Sequence, residues 1–282
     1  MHNVPSLHNG HPDVTHTHKL PVVMTLSGLD ATGGAGLQAD IEALISMGCH
    51  ASPVATALTV QDTQRVFGYQ PVDAMLLIQQ ARAVLEDMPV AAFKIGMVGS
   101  VANAEAIHSL LTDYPDIPVV VDPVLTGGGG GELSEGGVLE ALRTLLIPQA
   151  TVLTPNTVEA RQLAPEADNL NACAQQLLEM GSRFVLLTGT HENTHTVDNQ
   201  LYTDHRRFET FSWDRLPAHY HGSGCTLAAA IAGSLAQGLE PFTAVHEAQE
   251  YTWQSLQSGY RQGMGQLLPN RLYWARDEAQ RR

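Results

Sequence analysis

Basic residues are scarce in this chain. Fifteen Lys and Arg stand against 29 Asp and Glu in 282 residues, a formal charge of −14, and the only lysines are Lys19 and Lys94. Nucleic-acid backbones are held by clustered Lys and Arg, so a nucleic-acid partner is argued against. Long apolar runs are missing too. Nothing approaches the roughly 18 residues of a membrane-spanning helix, and the longest stretches, such as Pro118 to Val121, are strand-sized, so no membrane partner is expected. Met1 to Lys19 lacks an apolar core and a small-residue cleavage site, which makes the cytosol the expected location. Cysteine is sparse: Cys49, Cys173 and Cys225 are odd in number and irregular in spacing, as reduced thiols are. Aromatics make up only 6%, yet hydrophobic residues reach 44%, enough for a globular core and against disorder throughout.

The first nineteen residues carry His2, His8, His11, His16 and His18 without apolar periodicity, which reads as a disordered tail ahead of one domain at 20–282. From Pro21, strand-like runs alternate with amphipathic stretches. The runs are Val22–Leu26, Pro53–Thr59, Phe93–Gly96, Val119–Asp122, Thr151–Leu153 and Phe184–Leu187. Between them lie Ala39–Met47, Ala74–Leu85, Ala104–Leu111, Val138–Leu146 and Ala172–Met180. This alternation predicts a mostly parallel α/β sheet covered by helices on both faces. Gln200–Tyr202 and Phe208–Phe211 read as a late hairpin, and helices over about Gly224–Ala236 and Pro241–Tyr260 close the chain.

Three motif matches mislead. Gly34-Ala35-Gly36-Leu37-Gln38-Ala39 fits a dinucleotide G-x-G-x-x-A, but no ribose-binding acid stands about twenty residues on, where position 54 is Val. His191-Glu192-Asn193-Thr194-His195 fits the zinc pattern H-E-x-x-H. It falls between two strand runs, in Thr, Asn and His, where a solvated loop is expected instead of a long helix. Gly127 to Gly131 is no phosphate loop, since no Lys-Ser or Lys-Thr follows, and its content is mobility.

The strongest local signal is His221-Gly222-Ser223-Gly224-Cys225-Thr226 ahead of an Ala-rich helix. Glycines at a helix start let backbone N–H groups converge on an anion, and a thiol in that first turn is expected to have its thiolate favoured. The Gly-rich turn from Ser27 to Asp40 lies at a strand's C-terminal edge, where open α/β sheets bind ligands. Asp40 suits an amino or hydroxyl substituent there. Gln61, at another strand edge, suits a heteroaromatic ring that needs a donor and an acceptor together. Asp122 and Glu159 each follow a predicted strand, and two carboxylates with water and phosphate ligands describe magnesium better than zinc.

As a set these motifs are specific: SGxDxxGGAGxQAD from Ser27 to Asp40, Thr56-Ala57-Leu58-Thr59-Val60-Gln61, Lys94-Ile95-Gly96-Met97, Val121-Asp122-Pro123-Val124, Thr154-Pro155-Asn156-Thr157-Val158-Glu159-Ala160, and the Cys225 motif. Over about residues 21 to 262 the chain resembles the ribokinase-like superfamily, and within it the hydroxymethylpyrimidine/phosphomethylpyrimidine kinases of thiamine biosynthesis. The resemblance implies a three-layer α/β/α sandwich and a pyrimidine pocket using Gly28, Asp40, Gln61 and Met97. It implies ATP phosphates and Mg2+ near Asn156, Asp122, Glu159 and the Thr188-Gly189 turn. The catalytic group would be Cys225 with an anion hole of Gly222, Ser223 and Gly224, and the resemblance suggests a homodimer. Two family lysines are replaced here, by the glycine run and by Thr188-Gly189-Thr190, which makes a second phosphorylation slower than the first. The alternatives are a pyridoxal or pyridoxine kinase of the same superfamily and a pyrimidine-binding sensor without turnover.

Overall fold

The computed structural model describes residues 19–125 and 136–275. The body of the His-rich tail and Gly127–Gly131 lie outside the described residues. The strands are β1 Val22–Leu29, β2 His50–Gln61, β3 Val66–Pro71, β4 Val90–Ile95, β5 Val119–Val121, β6 Val152–Leu153, β7 Phe184–Leu187, β8 Thr196–Thr203 and β9 Arg206–Asp214. They form one sheet in the order β3-β2-β1-β4-β5-β6-β7-β8-β9. From β2 to β7 every pairing is parallel, while β3, β8 and β9 are added antiparallel at the two ends. The helices are α1 Gly36–Ser46, α2 Ala74–Asp87, α3 Val101–Thr112, α4 Val138–Ala141, α5 Thr157–Leu163, α6 Leu170–Glu179, α7 Ser223–Ala236 and α8 Pro241–Gln257.

The two-residue period of the strands sorts their side chains into two cores. Met24, Leu26, Phe93, Ile95, Val121 and Leu153 pack beneath α2 to α6. Val23, Ala92, Val120, Val152 and Leu186 face α1, α7 and α8. A mostly parallel sheet between two helical layers is thus the observed architecture. None of the described helices is long and apolar enough to cross a membrane.

Four details depart from the sequence expectation. β3 pairs with β2 as an unexpected hairpin, and α5 was not anticipated. The single amphipathic stretch Val138–Leu146 divides into α4 and a π turn over Leu142–Leu146, before a short 3-10 turn that contains Pro148; proline lacks the N–H that would continue the helical ladder. The late hairpin is longer than its apolar runs, because Asp204 and His205 adopt φ of 48° and 56° and close a two-residue turn.

β1 lies between β2 on one side and β4 on the other, so the chain's connections diverge there. The crevice at such a switch point opens beyond the C-terminal strand ends.

Candidate active site

A cavity of about 990 Å³ opens over those strand ends. Gly28, Gln61 and Met97 line one part; Asp122, Asn156, Glu159 and Thr188 line another; Gly222 to Cys225 lie between.

The Gly-rich turn after β1 is held by a buried carboxylate. Asp30 accepts hydrogen bonds from Thr32 N and Thr32 Oγ1, both at 2.8 Å, from Ala35 N at 2.9 Å and from His221 Nε2 at 2.7 Å. Burial alone would raise its pKa, but the hydrogen bonds from His221 and Thr32 outweigh that and hold it below the ordinary value. Gly36 has φ +56°, and a Cβ there would stand 2.1 Å from the carbonyl oxygen of Gly28, so only glycine closes this turn.

The helix start behaves as an anion site should. Gly222 is the N-cap of α7 in the left-handed region, and no side chain caps the helix. The first intrahelical bond of the turn runs from Thr226 N to Gly222 O at 3.0 Å, so the amides of Ser223, Gly224 and Cys225 lie ahead of it, in residues that line the cavity.

Cys225 departs from expectation. Its thiol is pushed up to about 12, first by burial, against the opposing charge of Lys94 and with Asp122 and Asp40 adding to the rise. The helix start does not lower it because the nearby carboxylates and the lost hydration outweigh the dipole. The sulfur accepts from the Gly36 amide and is hydrogen-bonded to Asp122.

The two acids face each other. Burial raises Glu159 to about 8 and Asp122 to about 6, and the charge of Asp122 adds to the rise at Glu159. Glu159 also closes a capping box: its Oε2 accepts from Asn156 N at 2.9 Å, while Asn156 Oδ1 accepts from Val158 N and Glu159 N at 2.9 Å. Part of each side chain is therefore committed to starting α5. Among the described residues no group of three or more His, Cys, Asp and Glu stands together as a metal cluster.

Two predicted site residues lie elsewhere. Asp40 is fully buried and does not line the cavity. It accepts from Thr25 Oγ1 at 2.5 Å and Ser27 Oγ at 2.8 Å, and pairs with Lys94 Nζ at 2.9 Å. The face of β1 and β4 that looks toward α1 is polar at this point, so the helix's own acid serves the buried lysine. Gly189 also lies outside the cavity lining; its N–H is taken by Asn199 Oδ1 at 3.0 Å, and a Cβ would meet Asp198 O at 2.2 Å. Gln61 lines the cavity with its amide nitrogen donating to Thr59 Oγ1 at 2.8 Å, and a Cβ on Gly28 would stand 3.0 Å from Met97 Sδ. The His191–His195 segment is a mostly exposed loop and not a helix, as expected.

Sequence reasoning gave no role to Asp30, His221, Lys94, Arg215 or Arg271. Arg215 lines the cavity and ties the 190–196 loop through carbonyls of Thr190, Glu192 and Thr194 at 2.8–2.9 Å. Asp30 and His221 both stood inside recognised motifs, which was the available signal. Arg271 had none.

Compared with known proteins, residues 30–270 match the family model described as phosphomethylpyrimidine kinase. The chain belongs to that family. A hydroxymethylpyrimidine/phosphomethylpyrimidine kinase of Streptomyces coelicolor is 38% identical, with 87% of this chain and 92% of that protein covered. A thiamine biosynthesis bifunctional protein of Geobacter sulfurreducens is 36% identical, with 90% of this chain and 53% of that longer protein covered. Among solved structures, a pyridoxal kinase of Bacillus subtilis in an ADP complex superposes with a TM-score of 0.83 at 26% identity, covering 91% of this chain and 99% of that one. A phosphomethylpyrimidine kinase of Clostridium difficile gives 0.71 at 32% identity, covering 83% and 98%.

Proposed function

We propose that the protein transfers the γ-phosphoryl group of ATP to the hydroxymethyl oxygen of 4-amino-5-hydroxymethyl-2-methylpyrimidine, and a second one to the resulting monophosphate, in thiamine diphosphate synthesis. The observation that carries this reading is the uncapped start of α7, with a thiol in its first turn and two carboxylates across the same cavity. Phosphoryl transfer through a loose transition state asks mainly for positioning and charge stabilisation.

Gln61, Gly28 and Met97 would seat the ring so that its hydroxymethyl group faces the α7 turn. The amides of Ser223, Gly224 and Cys225 would hold the transferring oxygens as charge develops on them. The substrate oxygen forms its bond to phosphorus as the bond from phosphorus to the bridging oxygen breaks and its electrons leave with ADP. A thiol with a pKa of about 12 is protonated at neutral pH. Cys225 would enter the step as the thiolate, its S–H proton given up to solvent beforehand, and take the hydroxyl proton itself, so that Asp122 stays ionised.

The donor set fits a divalent cation: two carboxylates raised by burial, one of them raised further by the other's charge, are relieved by a positive charge, and hard oxygen ligands suit magnesium. Asp122 and Glu159 would hold Mg2+, with Asn156 and Thr188 beside the ATP phosphates. Bound there, the ion neutralises phosphate charge. A homodimer belongs to the same reading, supported by exposed apolar side chains at the β2–β3 edge, Leu58, Val60 and Phe67.

A second reading, phosphorylation of pyridoxal, draws on the higher TM-score of the pyridoxal kinase. A coupled ADP-release assay with both acceptors separates them. The pyrimidine alcohol is expected to be the faster acceptor. ADP release with pyridoxal alone would refute the proposal, and binding of the alcohol without ADP release would establish a sensor instead.

A further inference from the structure

Arg271 stands one residue past the family match, at the far end of the chain from the Gly-rich turn it touches. It is 1% exposed, among the largest fully buried side chains in the molecule. Burying a guanidinium is costly unless its donors are met, and here they are. Nε donates to Thr226 Oγ1 at 2.8 Å, Nη1 pairs with Glu42 Oε2 at 3.1 Å, and Nη2 donates to the carbonyl of Gly34. Its own carbonyl accepts from Ser46 Oγ at 2.6 Å and Tyr251 OH at 2.9 Å, so the backbone that carries it is fixed as well.

These partners belong to the two turns that frame the anion site. Thr226 Oγ1 also donates to Gly222 O at 2.8 Å, so one hydroxyl links the guanidinium to the N-cap carbonyl of α7. The two turns touch: a Cβ on Gly222 would stand 2.0 Å from Gly34 O and 2.9 Å from Arg271 Nη2. Arg271 thus fixes the carbonyl of each turn, one directly and one through Thr226. With both carbonyls held on the protein side, the amides of Ser223 to Cys225 stay ahead of the first intrahelical bond, while those of the turn after β1 are bonded within the protein and make that turn a rigid support.

We propose that Arg271 is a positioning residue for phosphoryl transfer, clamping the turn after β1 to the start of α7 so that the amides of Ser223 to Cys225 meet the transferring phosphoryl group. The inference rests on the proposed kinase reading for what the amides bind, and on the hydrogen bonds alone for what Arg271 holds. Glu42 is half-buried at the rim of this clamp and serves as its counter-ion, not as part of the link between the turns.

The test compares wild type with Arg271→Met, Arg271→Lys and Glu42→Gln by steady-state kinetics, by calorimetric binding of ATP and of adenosine, and by thermal melting. Arg271→Met should lower kcat by about tenfold to a hundredfold, the scale of misplacing a transition-state donor, with the KM of the pyrimidine alcohol changed by less than about twofold. Its ATP affinity should fall while its adenosine affinity stays at the wild-type value. Arg271→Lys should fail to restore kcat, because one ammonium cannot span the Thr226 hydroxyl and the Gly34 carbonyl together. Glu42→Gln should turn over within about threefold of wild type, as expected for a partly exposed ion pair. If Arg271→Met does not fold, Thr226→Val removes the relay at constant volume and should lower kcat in the same direction. Wild-type kcat and ATP affinity in Arg271→Met would overturn the inference, as would full rescue by lysine or wild-type kcat in Thr226→Val. Lack of ADP release by wild type would instead refute the kinase reading, leaving the ATP-against-adenosine comparison to judge the clamp.

Discussion

Lys94 and Asp40 form an ion pair with both side chains fully shielded from water. Burial would strip the proton from Lys94, but the charge of Asp40 beside it, with that of Asp122 further off, holds its pKa above the ordinary value, so the lysine stays protonated. Replacing Lys94 by Met leaves Asp40 as a buried carboxylate with only the Thr25 and Ser27 hydroxyls for company. Breaking a buried pair from one side costs about 3–5 kcal/mol. At about 2–4 °C per kcal/mol for a domain of this size, the melting temperature should fall by about 6–20 °C. The double variant Lys94→Met/Asp40→Asn removes both charges, keeps an acceptor for the two hydroxyls, and should recover at least half of that loss. Thermal melts at pH 7 without nucleotide measure both effects, and the KM of the pyrimidine alcohol in the double variant should stay near wild type because Asp40 does not reach the cavity. A single variant that melts with wild type, or a double variant that melts below the single, would refute the ion-pair reasoning. A tenfold rise in KM at unchanged stability would return Asp40 to the substrate.

Cys225→Ala should lower turnover by roughly a hundredfold or more while leaving pyrimidine binding intact, by the usual scale for a lost proton acceptor; wild-type turnover in that variant removes the thiol from the mechanism. Gln61→Ala should raise KM and relax preference against pyridoxal, since a site that hydrogen-bonds a ring loses discrimination with its partner; a wild-type KM and preference would place the ring elsewhere. Glu159 titrates at about 8 in the fold and near 4.5 when unfolded, so the folded state holds the extra proton. Stability of the metal-free protein should therefore fall as pH rises from about 4.5 to 8 and level off above that. Glu159→Gln should flatten this fall in melts across the pH range, and magnesium should stabilise wild type more at pH 8.5 than at pH 6; matching profiles for the two proteins would refute the assignment. The monophosphate should be a slower acceptor than the alcohol, with the gap narrowing as salt screens repulsion in a chain of charge −14; product separation over time showing rapid, salt-independent diphosphate would contradict this.

The β/α alternation was legible because each strand carries its own two-residue period and each helix its own apolar face. β3 was not, since Val66-Phe67-Gly68-Tyr69 is short, broken by glycine and half exposed. α5 escaped for a different reason. Asn156 and Glu159 spell the spacing of a capping box, and were read as ligands only. Both roles fall on the same side chains, and the capping role was the one written locally. The error at Cys225 has its cause in distance along the chain: a helix start is visible in sequence, whereas Asp122 and Asp40, about 100 and 185 residues away, are not placed by any local pattern. At Gly189, expected beside a phosphate, the amide is taken by Asn199, ten residues on, a partner that no local pattern announces.

Ten consecutive residues of α7, Thr226 to Leu235, are buried. Such a helix has no wet side. Its small residues let it lie so close to its neighbours that a methyl group on Gly233 would strike Met47 at 2.8 Å. Tilting or sliding it would displace the sheet below, α1 beside it and α8 above. The amides at its open end are therefore mounted on a part of the molecule with no soft direction, and adjustment to ligands of different length must come from the rim of the cavity, in the loops that Arg215 and the β2–β3 turn carry. Phosphorus chemistry is fixed at one point in space, and diversity of acceptor is a matter for the edges around it.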